Sequence, residues 1–169
     1  MERVQVQHTV TFADITRPDD AVQYAAGEVV SDSTTAATAM KFNRCSSEPG
    51  GGGSVRSVVL VDSINAGTKL NADLFLFSVA PVTFGNDNEA FVPTDAELQT
   101  CIGVVSLDGT TAANTKIGSG NLAIQSQGLD LPFTCADTDS ALYGVLVARN
   151  TYTPTALEAF RVKLGVQQG

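Results

Sequence analysis

The stretch Glu48-Pro49-Gly50-Gly51-Gly52-Gly53-Ser54-Val55-Arg56-Ser57-Val58-Val59-Leu60-Val61 sets four consecutive glycines directly before an apolar, β-branched run. A glycine-rich loop holds phosphate when it follows a strand, carries a Lys-Ser/Thr pair and opens a helix whose N-terminus points at the anion. Here Ser54-Val55-Arg56 leads into a strand, with no such lysine and no helix. An interdomain linker fits poorly too, because the 49 residues before Gly50 are few for a separate domain and their strand at Val4 to Phe12 needs partners to be stable. The glycines are therefore read as a connection between strands with freedom in φ. The chain around them is read as β-structure.

Working outward, the first segment, Arg3 to Phe12, alternates with a period of two. Val4, Val6, His8, Val10 and Phe12 share one face, which predicts a half-buried strand with those residues inward. The last segment repeats the pattern, with Phe160, Val162, Leu164 and Val166 inward and Arg161, Lys163 and Gly165 outward. Between them lie short apolar runs at Val55 to Val61, Leu74 to Val79, Ile102 to Leu107, Leu122 to Ile124, Leu129 to Phe133 and Leu142 to Ala148. Turn residues bound each run, and too little sequence separates them for the crossover helices of a parallel sheet. The expected fold is all-β: a single domain over residues 1–169, an antiparallel β-sandwich, jelly-roll-like, with one or two short helical turns. Val58 to Val61 and Tyr143 to Val147 read as strands covered on both faces, and the terminal strands as having one wet face. Thr94-Asp95-Ala96-Glu97 and Thr155-Ala156-Leu157-Glu158 each match a capping box that starts a turn or two of helix. Asp108-Gly109 signals a turn, and Ser31 to Ala39 a surface excursion.

At 169 residues the chain can bury a core without disulfides or metals. Its 10 Lys plus Arg against 18 Asp plus Glu give a formal charge of −8, which opposes attraction to nucleic-acid phosphates and anionic lipid. No run approaches the roughly 20 apolar residues that span a bilayer, and the first twelve residues lack a signal-peptide h-region, so a chain that is neither inserted nor exported is expected. Cys45, Cys101 and Cys135 are widely spaced and accompany one histidine. They are read as reduced, packed thiols and not as a zinc site. No cofactor is expected.

Candidate chemistry is sparse. His8 is the one histidine available to a nucleophilic triad, and its place on an apolar strand face reads as a packed residue. Asp87-Asn88-Glu89 and Asp137-Thr138-Asp139 gather oxygens but match no calcium loop; they are read as solvated acidic loops. A carboxylate hydrolase remains open, because the roughly 5 to 10 Å between its acids is set by the fold, with Asp87 and Asp137 as the positions to test. The absence of Trp and the three Tyr leave little to stack a sugar ring.

Several stretches, taken in order, resemble a family of bacteriophage structural proteins. They are Tyr24-Ala25-Ala26-Gly27-Glu28-Val29-Val30-Ser31-Asp32, the Gly-Gly-Gly-Ser segment before Val58 to Ser63, and Leu74-Phe75-Leu76-Phe77 with Ala80-Pro81. Asp87 to Leu98, Leu142 to Arg149 and Tyr152-Thr153-Pro154-Thr155 with the final strand complete the series. The resemblance implies a capsid decoration or cement protein on the outer surface of a virion, made in the host cytoplasm, commonly trimeric, with the major capsid protein as partner. A head-fibre or tail-associated protein that binds host carbohydrate is the alternative. The decoration role implies contact surfaces and no catalytic residue. Val4, Val6, Gly51, Gly52, Gly53, Asp87, Asn88, Tyr152, Pro154, Val162 and Val166 are the expected contributors to subunit or capsid contact, through strand edges available for pairing and through the loops at Gly50 to Ser54 and Gly85 to Ala90.

Overall fold

Residues 6–169 are described by a computed structural model, so Val4 and the first residues of the predicted opening strand lie outside the described residues. In chain order the elements are β1 (Gln7–Thr16), β2 (Val29–Val30), β3 (Met40–Phe42), β4 (Gly52–Asp62), β5 (Asn71–Phe77), α1 (Asp95–Leu98), β6 (Cys101–Asp108), β7 (Thr115–Ile117), β8 (Leu122–Thr134), β9 (Leu142–Ala148) and β10 (Ala159–Gln168). They form two antiparallel sheets, one in the order β1-β10-β4-β8-β7 and the other β2-β9-β5-β6, with β3 also paired to β9. The chain keeps changing sheet: β4 leads to β5, β6 back to β7 and β8, β8 to β9, and β9 to β10. Two antiparallel sheets face to face make the all-β sandwich that the apolar spacing predicts.

The core fills the space between the sheets. Ala13, Ile15, Val58, Leu60, Ile124, Phe160, Val162 and Leu164 descend from the first sheet onto Phe42, Leu74, Leu76, Val105, Leu142 and Leu146 of the second. Full burial of one such side chain contributes about 1.5–3 kcal/mol, so this layer is the main favourable term. A second cluster lies on the far side of the second sheet, where Phe84 and Phe91 of the long β5–β6 connection cover Phe75, Phe77, Val145 and Val147. That cover explains why β9 is apolar on both faces, as its continuous run predicts. The expectation fails for β4: Val58 and Leu60 are buried, but Val59 and Val61 lie half-buried on an uncovered outer face.

The opening strand is displaced in phase. Its paired region runs to Thr16, and Thr11, Ala13 and Ile15 point inward while Val10 and Phe12 point out. The cause is register: Ile15 lies opposite Phe160, Ala13 opposite Val162 and Thr11 opposite Leu164. Directly opposed residues share a sheet face, and a shift of one residue turns every side chain over. His8, expected to be packed, is exposed for the same reason.

Three further expectations resolve in the loops and bulges. Leu122 to Ile124 and Leu129 to Phe133 are the two ends of one strand, β8, interrupted where its pairing shifts between Val55 and Ser57 of β4; Gly128 supplies the φ of 71° that the bulge requires. Thr94 and Glu97 form the predicted capping box, starting the four-residue α1. At Thr155 to Glu158 the backbone makes only a turn, with Leu157 at φ 58°. Glu158 accepts from the Thr155 N–H at 2.8 Å but is otherwise drawn into the interior.

Of the four glycines, Gly50 alone has a positive φ, 73°. Gly52 and Gly53 already belong to β4, between β10 and β8. A Cβ on Gly53 would stand 2.9 Å from the Phe133 ring and closer still to the Gln167 carbonyl oxygen; one on Gly52 would stand 2.9 Å from the Phe133 carbonyl oxygen. The close approach is thus within the chain's own sheet. Gly53→Ala is expected to lower unfolding stability by about 1–3 kcal/mol, read as a reduced urea midpoint; an unchanged midpoint would reject this account of the glycines.

Candidate interaction faces

Because Val10 and Phe12 face outward, they join the outer residues of β10 and β4. Register places Phe12 opposite Lys163 and Lys163 opposite Val59, then Asp14 opposite Arg161 and Arg161 opposite Val61. The result is a contiguous face on which Val10 is 73% exposed and Phe12 53% exposed. Arg161 organises it. Its guanidinium lies 4.3 Å from the Phe12 ring centroid and donates to both oxygens of Asp14, at 2.6 and 2.7 Å. Stacking and a bidentate fork hold an arginine far better than a lone surface ion pair does. A shallow groove of about 350 Å³ runs beside it, between Asp14, Thr16, Val61 and Asn121.

The charge on this face opposes that of the molecule. Among the described residues it carries Arg56, Lys116, Arg161 and Lys163 against Asp14 and Asp130, in a chain of 10 basic and 18 acidic residues. Charged residues apart, the strands offer valine, phenylalanine, serine and glutamine.

A second apolar patch lies over the outer side of the other sheet. Val79, Val82, Val92 and Leu98 are exposed there, Val82 by 85%. Glu97 ties these segments together: one of its oxygens accepts from the N–H groups of Val82 and Thr83 at 2.6 and 2.7 Å, while the other closes the capping box at Thr94. Those donors hold the Glu97 carboxyl down at about 2. The frame of this patch is acidic. The β5–β6 connection, residues 78–100, carries Glu89, Asp95 and Glu97 besides the buried Asp87, and no Lys or Arg.

One end of the sandwich is closed by buried polar groups. Arg17 and Asp87 are both fully buried side chains joined at 2.9 Å. Arg17 also donates through Nε to the Tyr24 hydroxyl, which donates to Asp87 at 2.5 Å, and Asp87 accepts the Ser31 N–H at 2.8 Å. Burial and Asp87 push the Tyr24 phenol far above its ordinary range. Backbone bonds between Tyr24 and Tyr152 lead to a second group, in which the Tyr152 hydroxyl donates to Glu158 and lies 3.5 Å from Asp62. Burial and the adjoining Glu158 push the Asp62 carboxyl up to about 8.

The expected contact residues are therefore dispersed. Val6 is exposed beside Val10. Gly51, Gly52 and Gly53 are half-buried, and Asn88, at φ 63°, donates its amide to the carbonyls of Val22 and Gln23. Val162, Val166, Tyr152 and Pro154 are buried, so their side chains offer no outer surface on this chain. Asp87, expected in a solvated loop, is buried because it serves Arg17, and that also removes it as an open hydrolytic acid. Asp139 is taken up by Lys41 at 2.8 Å and by the Tyr143 hydroxyl at 2.6 Å. Cys45 and Cys135 are buried free thiols, Cys45 pushed up to about 12 by burial, and Cys101 is half-buried. The outer residues Phe12, Val59, Val61, Arg161 and Lys163 were not singled out by the sequence as a site. The signals for them were the apolar outer positions of β4 and the uninterrupted acidic stretch opposite.

No family model matches the chain, and no curated protein sequence does. Among solved structures it is similar to a chain in the Cyanophage Pam1 capsid asymmetric unit, at TM-score 0.37 and 13% identity, covering 100% of this chain and 90% of that one. It is also similar to a chain in the capsid of Ralstonia phage GP4, at TM-score 0.37 and 18% identity, covering 98% of this chain and 86% of that one.

Two expectations follow from the polar end. Asp87→Ala leaves the buried Arg17 with the longer, 3.3 Å contact to the partly exposed Asp20 and should cost about 3–5 kcal/mol in chemical denaturation. Asp62 keeps its proton in the folded chain up to about pH 8, whereas an unfolded aspartate loses it near pH 4. Its contribution is thus fully present below pH 4 and is lost as pH rises to 8. Asp62→Asn, which keeps the acceptor for the Ile64 N–H, should flatten that decline by a few kcal/mol, measured as denaturation midpoints across the range; parallel pH profiles would reject it.

Proposed function

We propose that this chain is a non-enzymatic structural protein of a phage virion, decorating and cementing the outer surface of an icosahedral tailed-phage capsid as a homotrimer bound to the major capsid protein. The observation that carries the reading is the outer face of the first sheet, where Val10, Phe12, Val59 and Val61 stand around a fixed Arg161 and a Lys163. Single exposed apolar side chains are ordinary, but a contiguous group with a polar rim marks a contact surface. An aromatic residue with an arginine stacked on it is the composition of an interface anchor. The ordered resemblance of Tyr24 to Asp32, Asp87 to Leu98, Leu142 to Arg149 and the other stretches to decoration proteins supplies the address.

Cementing needs no chemistry. A protein that binds the assembled shell and not its dissociated subunits stabilises the shell by mass action, and many copies around one particle add weak contacts into firm occupancy. Added to expanded capsids that lack it, the purified protein is expected to co-sediment at a saturating stoichiometry and to raise the temperature at which the shells come apart. No co-sedimentation, or binding to glycans with no capsid occupancy, would overturn the reading.

A further inference from the structure

The two apolar patches lie on different sides of the sandwich and are framed by opposite charge. One is the outer face of the first sheet, with Val10 and Phe12 beside Arg161 and Lys163, and Arg56 and Lys116 on strands further across, four cations against Asp14 and Asp130. The other is the cover of the second sheet, with Val82 and Val92 beside Asp95 and Glu97. We propose that these two faces bind one another between copies of this chain, head to tail, the cationic face of one copy seated on the acidic patch of the next. The proposal deepens the virion reading, on which its biological role rests, by naming the surfaces through which the copies associate.

Charge complementarity selects this occupant over two other ways of pairing copies. A two-fold contact of the first face with itself brings its net positive charge, four cations against Asp14 and Asp130, from both copies into one interface. A two-fold contact of the second patch with itself brings Asp95 and Glu97 of both copies together, on a connection, residues 78–100, that carries no Lys or Arg. Like charges brought together at an interface cost free energy and suppress that pairing. Only the head-to-tail arrangement covers both apolar patches and opposes unlike charges in each contact. Such a contact closes into a ring when the rotation between copies permits and otherwise continues as a filament.

Edge strand β1 supports the first half of the contact. Natural edge strands are guarded by lysine, proline or an inward charge, yet Gln7 to Phe12 has none of these. β1 stands at the end of its sheet, paired to β10, with Val10 and Phe12 exposed on it. An edge left in this state is suited to being covered in an assembly.

Two surface variants test the proposal by sedimentation velocity with the full chain. Val10→Ser with Phe12→Ser removes the anchors of the first face, and Val82→Ser with Val92→Ser removes those of the second; all four side chains are exposed, and circular dichroism checks that both variants fold. The wild type is expected to self-associate in a salt-sensitive way, and each variant alone to associate at least about tenfold more weakly, equivalent to 1.4 kcal/mol. An equal mixture of the two should yield a dimer and nothing larger, because each supplies the face the other lacks. A wild type that stays monomeric, loss of association in only one variant, or a mixture that stays monomeric would overturn the proposal. Capsid binding by a monomeric wild type would leave the decoration reading standing and remove this one; the mixing pattern without capsid binding would do the reverse.

Discussion

The register between β1 and β10 is the constraint on which the rest of the molecule turns. Ile15 opposite Phe160 and Ala13 opposite Val162 bring the first and last strands together in one sheet, so the two ends of the described chain are held by the same hydrogen-bonded ladder. Phe160, Val162, Leu164 and Val166 must face the core because β10 lies between two neighbours and has no other apolar set. With that parity fixed, β1 has no choice. Thr11, Ala13 and Ile15 go inward, and a phenylalanine and a valine are left on the outside. The exposed apolar face is thus a consequence of closing the core.

That closure also creates a polar problem at one end of the sandwich. Connections leaving β1 and entering β10 pass over the interior there, and their backbone groups must find partners away from water. Arg17, Asp87 and the two tyrosines supply them. Tyr24 and Tyr152 exchange backbone hydrogen bonds while their hydroxyls serve different carboxylates. An apolar residue at any of these positions would leave a neighbouring donor or acceptor unmatched, which costs more than the hydrogen bond itself contributes. The Asp62 carboxyl is raised first by its own burial and then by the Glu158 carboxyl beside it.

Much of this architecture was legible in the sequence, and the failures have physical causes. Leu142 to Ala148 is β9 residue for residue, and the alternation in β10 is correct, because apolar periodicity reports burial directly. The opening strand is misread from its own pattern, because Val6 to Phe12 alternates on the side that turns outward while Thr11, Ala13 and Ile15 carry the buried side. The short strands β2, β3 and β7 escaped notice since two or three residues carry no period. Thr155 to Glu158 reads as a helix start because the capping box is local, whereas the pull of Tyr152 on Glu158 is tertiary. Asp87 looked solvated because its partner is seventy positions away in the chain, a distance no spacing rule spans.

The proposed contact between copies has to be reconciled with a net charge of −8. Uniformly acidic surfaces repel at contact, and ionic screening over about 8 Å at physiological salt weakens but does not reverse that repulsion. Association then requires a place where the local sign differs from the total. In this sequence the segregation is carried by topology: the cover of the second sheet, residues 78–100, has acidic residues and no basic one. Arg161 and Lys163 sit on β10 and Arg56 on β4, which neighbour each other because β10 returns to pair between β4 and β1. Strand order therefore brings Arg56 onto the face of Arg161 and Lys163, next to the phenylalanine that the β1 register turns outward.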